Sequence, residues 1–280
     1  MNWTYKNIPK IAHFYWGKNA AMSFIQYLTI KTFKTHNPDW EVRLSIPKFP
    51  SLTTATWTSG EQQGVNLEFD FFYKVEKIVD TINKIDFDVL GFSNNVSEIH
   101  KSDFIRLHLL ATEGGLWSDM DIFYLEPMAS LKLPKNINLG VVYQDHNSII
   151  YHLIGFMLAS KSNEYYKHLL DNSLMYYKQD EYQSIGANLI NNLLPTIKSI
   201  EKNFPNLNVC NLNMEIVYTY NHFNLDNLIT ENEMNLITNN TIGIHWFNGN
   251  PKVKNYIETI NPYDVKTNTI LGKLIKKHQL

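Results

Sequence analysis

Cysteine is almost absent from this 280-residue chain; Cys210 is the only one. A single thiol excludes an intramolecular disulfide framework and fits a reducing compartment. An excess of one charge is also missing, because 25 basic residues against 27 acidic ones leave a formal net charge of −2. That balance gives no electrostatic case for nucleic acid as a partner. No window reaches the roughly 18–20 consecutive apolar residues a membrane helix needs. The opening "MNWTYKNIPKIAHFYWG" lacks a basic start followed by an apolar core, so no secretory signal is expected. The sequons at Asn2, Asn95 and Asn239 then carry no weight, and the expectation is a cytoplasmic protein. Internal repeats and Pro/Gly/Ser-rich linkers are lacking too, which predicts one continuous domain over 1–280.

What is present suits a large α/β unit, since 44% hydrophobic residues can bury a substantial core. "KIAHFYWG" (Lys10–Gly17) reads as a first strand, and "MSFIQYLTIKTFKTHNPDW" carries apolar residues at helical spacing up to the Asn37-Pro38 stop. "WEVRLSI" (Trp40–Ile46) alternates as a second strand, so the chain opens β-α-β, the unit of a parallel sheet with crossover helices. Residues from about 47 to 100, including "FDFFYKVEKIVDTINKIDF", predict a helical insertion outside the sheet. "SDFIRLHLLATEGG" predicts a helix capped by Ser102 and ended by Gly114-Gly115. "LWSDMDIFYLEP" follows as strand and turn, "LGVVYQ" and "YHLIGFMLAS" as strands. "NEYYKHLLDNSLMYYKQ" and "ANLINNLLPTIKSIEKNF" read as helices, and "TIGIHWFNGNPK" as a strand entering a loop. The tail, about 268–280, is a basic amphipathic helix.

Asp119 and Asp121 stand one residue apart in the otherwise apolar "EGGLWSDMDIFYLEP". In a strand, residues i and i+2 share a face, so both carboxylates present together and Met120 points away. Carboxylates that close repel each other, and one pKa rises unless a cation lies beside them. A hard divalent ion such as Mg2+ or Mn2+ resolves the conflict, taking oxygen ligands and substrate phosphates. The tripeptide alone is weak evidence and reads more readily as a strand end with solvated aspartates. Upstream, Asp103 and Arg106 lie three residues apart on one helix face, which alone would be an ordinary surface pair.

Taken together, "KSDFIRLHLLATEGGLWSDMD" resembles the signature of DXD-containing sugar-binding glycosyltransferases with a GT-A fold. That group takes in capsular-polysaccharide synthesis enzymes, α-1,4-galactosyltransferases, α-1,6-mannosyltransferases and, more distantly, glucosylating clostridial toxins. The match runs Ser-Asp-x-x-Arg, seven residues, Gly-Gly, an apolar-aromatic pair, then Asp-x-Asp. "IPKIAHFYWG" resembles the family's opening strand and "NPDWEVRL" the end of its first helix and second strand. The likeness covers about 8–46 and 100–130, with looser agreement near 150–190 and 242–251.

The resemblance implies an α/β GT-A fold, a Rossmann-like and mostly parallel central sheet flanked by helices. It implies a retaining, metal-dependent transfer of a hexose from a nucleotide-sugar to a glycan, glycolipid or other hydroxyl acceptor. Asp121 would bind Mn2+ or Mg2+ directly, Asp119 would contact ribose or reach the ion through water, and His245 would be a third ligand. Asp103 and Arg106 would hold the donor sugar, with Arg106 also near the diphosphate. Phe14, Trp16, Trp246 and Asn250 complete the donor side, with Trp16 stacked on the base. "YQSIGANL" resembles an acceptor-side turn, which places Gln183, Ser184 and Gly186 near the acceptor. UDP-sugars are favoured by family frequency, and GDP-mannose is the second choice. The basic tail helix could touch an anionic membrane carrying a lipid-linked acceptor, or simply pack on the domain. A DXD phosphatase is disfavoured, because Phe123 stands where Thr or Val would follow the pair and the pair lies far from the N-terminus. A non-catalytic sugar-binding module on a degenerate transferase scaffold is the remaining alternative.

Overall fold

The computed structural model describes residues 3–17, 21–51, 69–146, 149–221, 224–258, 260 and 262–278. The predicted β-α-β opening is found as β1 (Ile11–Tyr15), α1 (Phe24–His36) and β2 (Glu41–Pro47), with β1 and β2 parallel. Ser23 starts α1 through a reciprocal capping box with Gln26, which satisfies two end donors that would otherwise be orphaned.

The expected helical insertion does not hold over the part that is described, and residues 52–68 lie outside it. Helix there is confined to the single turn α2 (Phe72–Val75), and β3 (Thr81–Ile85) joins the sheet in parallel beside β2. The free edge of β2 offers unpaired backbone groups, and pairing them outweighs the weak helical spacing of this stretch. Helix α3 (Glu98–Thr112) starts one turn earlier than predicted, capped by Ser97 rather than Ser102. Gly114 (φ 69°) and Gly115 (φ 97°) end it and open β4 (Gly115–Ser118). A Cβ at position 115 would lie 2.4 Å from the Ile11 carbonyl oxygen, so only glycine allows β4 this close to β1.

The chain continues through β5 (Ile122–Tyr124), β6 (Leu139–His146), β7 (Ile149–Ala159) and α4 (Glu164–Tyr176). The long helix predicted next is two, α5 (Ala187–Leu193) and α6 (Ile197–Asn203). Pro195 lacks the amide hydrogen and disfavours helical geometry at Leu194, and Thr196 caps the restart. Then come β8 (Val209–Asn211), α7 (Asn227–Thr230), β9 (Gly243–His245), α8 (Pro251–Glu258) and α9 (Ile270–Lys277). Among the described residues the main sheet runs β3-β2-β1-β4-β7-β6-β8, with β7 antiparallel to both neighbours and the other pairs parallel. The mostly parallel α/β sheet implied by the resemblance is therefore what forms. A separate antiparallel ribbon pairs β5 with β9.

Strand alternation sorts the core into two layers. Phe14, Leu116, Phe156 and Leu158 face the layer of α1 and α9, whereas Tyr15, Trp117, Met157 and Ala159 face that of α3, α4 and α5. Helix α9 buries Ile270, Leu271, Leu274 and Ile275 against the α1 layer and leaves Lys276 and Lys277 exposed. Among the described residues no helix is long and apolar enough to cross a membrane.

Candidate active site

The strand order reverses between β1 and β4, which run parallel as neighbours and end side by side. In open α/β sheets the crevice outside the carboxyl ends at such a reversal is where ligands bind. Trp16 follows β1 and Asp119 follows β4, so the topology delivers both to that crevice.

Asp119 and Asp121 do not lie within a strand; β4 stops at Ser118 and β5 starts at Ile122. The alternation nevertheless persists one step, with Asp119 on the α3 side like Trp117 and Met120 buried on the α1 side. Thr29 of α1 donates to the Met120 carbonyl at 3.0 Å, and the Asp119 N–H donates to Gly155 of β7 at 2.8 Å. The turn is thus clamped from both layers. The β5–β9 ribbon places His245 opposite Ile122, and the Trp246 N–H donates to the Asp121 carbonyl at 2.9 Å. His245 Nε2 consequently lies 3.1 Å from Asp121 Oδ1, while the Asn248 N–H donates to Asp121 Oδ2 at 2.9 Å. Burial alone would raise the Asp121 pKa, but His245 and the Asn248 N–H hold it below the usual carboxylate range.

One atom each from Asp119, Asp121 and His245 lies within 4.8 Å of the others, the grouping predicted as metal ligands. Arg106 donates to Asp119 Oδ1 at 3.0 Å and pairs with Asp103 Oδ1 at 3.2 Å, its guanidinium 5.0 Å from the centre of the Trp117 ring. Trp117 Nε1 adds a 2.8 Å bond to the same Asp119 oxygen. Three carboxylates stand against one guanidinium, so acidic groups are in excess. Two carboxylate oxygens and an imidazole amid that excess fit a hard divalent cation.

Asp103 is buried, and desolvation outweighs the Arg106 charge, pushing its pKa up to about 6. Between pH ~4 and ~6 the folded chain keeps a proton that the unfolded chain releases. That increment of stability is present below the unfolded value and lost as pH rises through about 6. A shift of roughly two units corresponds to about 3 kcal/mol at most. Asp103→Asn should therefore flatten the stability of the metal-free protein between pH 4 and 7, read by thermal melts in EDTA. An unchanged slope would mean that Asp103 ionises freely.

The other predicted residues divide. Gly186 sits against Asp103, where a Cβ would lie 2.7 Å from Oδ2, so the turn that carries it does reach the cluster. Gln183, at φ 56°, exchanges hydrogen bonds with Tyr151 and Tyr182. Ser184 is buried and spent on both backbone groups of Lys178. Phe14 and Trp246 are wholly buried in the α1 layer and do not line the crevice, and Asn250 accepts from the Lys252 N–H at the start of α8. Trp16 is half-buried beside that layer. His13 bonds the Gly114 carbonyl at 2.9 Å.

Sequence reasoning missed three contributors that no motif marks. Lys101, fully buried, donates to Glu98 and to the Phe49 carbonyl, each at 2.9 Å; Glu98 also accepts from the Tyr15 hydroxyl, tying the end of β1 to α3. Gly155 and Tyr218 close the site from behind Asp119. The Glu98–Lys101 spacing of three was the only readable signal among them.

Residues 81–259 match the family model described as capsular polysaccharide synthesis protein, well over half of the chain. The chain belongs to that family. Residues 23–138 also match the glycosyltransferase sugar-binding region containing DXD motif, a span that holds Asp119 and Asp121; the protein is a glycosyltransferase. No curated protein matches it by sequence. Among solved structures it is similar to galactosyltransferase LgtC in complex with donor and acceptor sugar analogs, at 15% identity and TM-score 0.47 over 95% of this chain and 94% of that one. It is also similar to PaToxG glycosyltransferase at 19% identity and TM-score 0.47, over 71% and 75% of the two chains. A third is apo GlyE of Streptococcus pneumoniae TIGR4, at 12% identity and TM-score 0.46, over 97% and 60%.

Proposed function

We propose that this protein moves a hexose from a nucleotide-sugar to a hydroxyl of a glycan or lipid-linked acceptor, in polysaccharide or surface-glycan synthesis. The donor is a UDP-sugar by preference and GDP-mannose as the second choice, and transfer retains anomeric configuration. The reading rests on one observation above all, the convergence of Asp119, Asp121 and His245 at the sheet's reversal point. Mn2+ or Mg2+ held by these residues would supply charge stabilisation for the departing nucleotide diphosphate. Asp121 would hold the ion directly, and Asp119 would face the ribose or the ion's water. Asp103 Oδ2 is buried without a hydrogen-bond partner, which suits it to accept from a donor-sugar hydroxyl. Arg106 is committed to Asp103 and Asp119, so its part is to orient both carboxylates toward the donor. Trp16 would stack on the base, and the turn at Gly186, packed against Asp103, would face the acceptor.

No enzymatic nucleophile is needed if the leaving phosphate helps to deprotonate the acceptor hydroxyl on the same face. Positioning and electrostatics then supply the rate. Any membrane contact by α9 would be electrostatic, through Lys276 and Lys277, because its apolar face is buried. The test is a thermal-shift panel of UDP-glucose, UDP-galactose, UDP-N-acetylglucosamine and GDP-mannose with and without Mn2+, followed by hydrolysis assays. One donor should raise Tm only with Mn2+ and be slowly hydrolysed. Binding without turnover of any donor or acceptor would make this a sugar-binding module. Phosphate release from simple monoesters alone would make it a phosphatase.

A further inference from the structure

Gly155 of β7 is the floor of the site. A Cβ built there would lie 2.8 Å from Asp119 Oδ2, 2.9 Å from the Tyr218 hydroxyl and 3.1 Å from His245 Nε2. Three polar atoms from three separate segments thus converge on one backbone position that only hydrogen can occupy. Two of them belong to the ligand set above, and the third belongs to a residue outside every motif. Tyr218 follows the turn Met214–Ile216, its N–H donates to the Met214 carbonyl at 2.7 Å, and the His245 N–H donates to Val217 next door at 2.7 Å. The same backbone segment therefore sets both the imidazole and the phenol, whose rings lie 5.0 Å apart. Tyr218 is 3% exposed, and its hydroxyl makes no hydrogen bond of normal geometry. A buried hydroxyl left so costs free energy unless a partner arrives. Asp119 supplies the complement. Its Oδ1 takes both Arg106 and Trp117, and among the described residues no donor is bonded to Oδ2.

We infer that Tyr218 is a positioning residue for the divalent ion: its phenol, without a hydrogen bond of normal geometry in this structure and gathered with Asp119 Oδ2 against Gly155, turns its proton to that oxygen when the ion is held, so that the carboxylate presents one fixed lone pair toward Asp121 and His245. A phenol keeps its proton at neutral pH and can only orient the carboxylate, not replace it as an anionic ligand. Groups one step behind metal ligands commonly change metal affinity 10- to 100-fold when removed. The inference rests on the metal reading under Proposed function.

The experiment is Mn2+ titration of full-length protein followed by the electron paramagnetic resonance signal of free Mn2+, with melts in EDTA beside it. Tyr218→Phe, which removes one atom, should raise the Mn2+ Kd about 10-fold and leave the metal-free Tm unchanged. Gly155→Ala, which keeps the Tyr218 side chain but drives a methyl against its hydroxyl, Asp119 Oδ2 and His245 Nε2, should also weaken Mn2+. A Tyr218→Phe Kd within twofold of wild type overturns the inference. So does a weakened Kd accompanied by an equal loss of stability in EDTA, which would make Tyr218 a packing residue. Wild-type protein that binds no Mn2+ would instead overturn the metal reading itself.

Discussion

Asp121→Asn should lower nucleotide-sugar turnover about 10³-fold, close to 4 kcal/mol of transition-state stabilisation, while leaving the metal-free fold nearly unchanged. The asparagine carbonyl can still accept from the Asn248 N–H that Asp121 Oδ2 now takes. Backbone contacts do not change either, because the Trp246 N–H is bonded to the carbonyl of residue 121 and not to its side chain. What disappears is the anionic oxygen facing His245 at 3.1 Å. A divalent ion loses most from that change, so Mn2+-dependent stabilisation should fall together with turnover. Steady-state rates with Mn2+ titrated from zero, beside melts in EDTA, separate the effects. Turnover that survives both the substitution and EDTA would remove the ion from the mechanism.

Arg106→Met should destabilise the protein by about 3–5 kcal/mol, the usual cost of removing one partner from a buried ionic cluster. For a chain of this size that is a fall of roughly 10 °C in Tm. Arg106 is 5% exposed and is the counter-charge to both Asp103 and Asp119. Methionine fills much of the same space over Trp117, so the loss would be electrostatic more than a cavity effect. Protonating Asp103 relieves part of that repulsion, and its pKa, already about 6 with Arg106 present, should climb further without it. The deficit should accordingly shrink at pH 5 relative to pH 8. Melts of both proteins at the two pH values decide this, and a deficit under 2 °C at pH 8 would mean that water compensates the carboxylates.

Local chemistry made much of this molecule legible before any tertiary contact. The apolar run after Pro9, the helical spacing up to Asn37 and the alternation of "WEVRLSI" led to β1, α1 and β2, because each pattern matches the burial its element achieves. Gly114 and Gly115 marked the end of α3, since both take positive φ and lie against backbone, Gly114 at Ser160 and Lys161 and Gly115 at Ile11. The same reasoning failed where a partner decides the structure. Nothing local in "TINKI" announces a strand, yet the open edge of β2 makes it one. The cap at Ser97 took precedence over Ser102 because Glu98 and Lys101 form a buried pair inside the first turns of α3.

The candidate site divides along the same line. Asp103, Arg106, Asp119 and Asp121 could be named because a 21-residue stretch resembling a family signature contains them, whereas their spacing alone reads as a surface pair and solvated aspartates. His245, 124 positions beyond Asp121, reaches it only through the β5–β9 ribbon, whose register is a property of two strands together. Phe14 and Trp246 could not be assigned to a layer in advance, since an aromatic at a strand end serves a core as well as a base. Tyr218 and Gly155 carry no pattern at all; they matter because two distant backbones meet behind Asp119. The sequence by itself determined the chemistry, two carboxylates and a counter-charge held at fixed local spacing. Tertiary structure alone decided which imidazole, which glycine and which phenol complete it, because contacts between segments far apart in the chain depend on packing and strand register that no local pattern encodes.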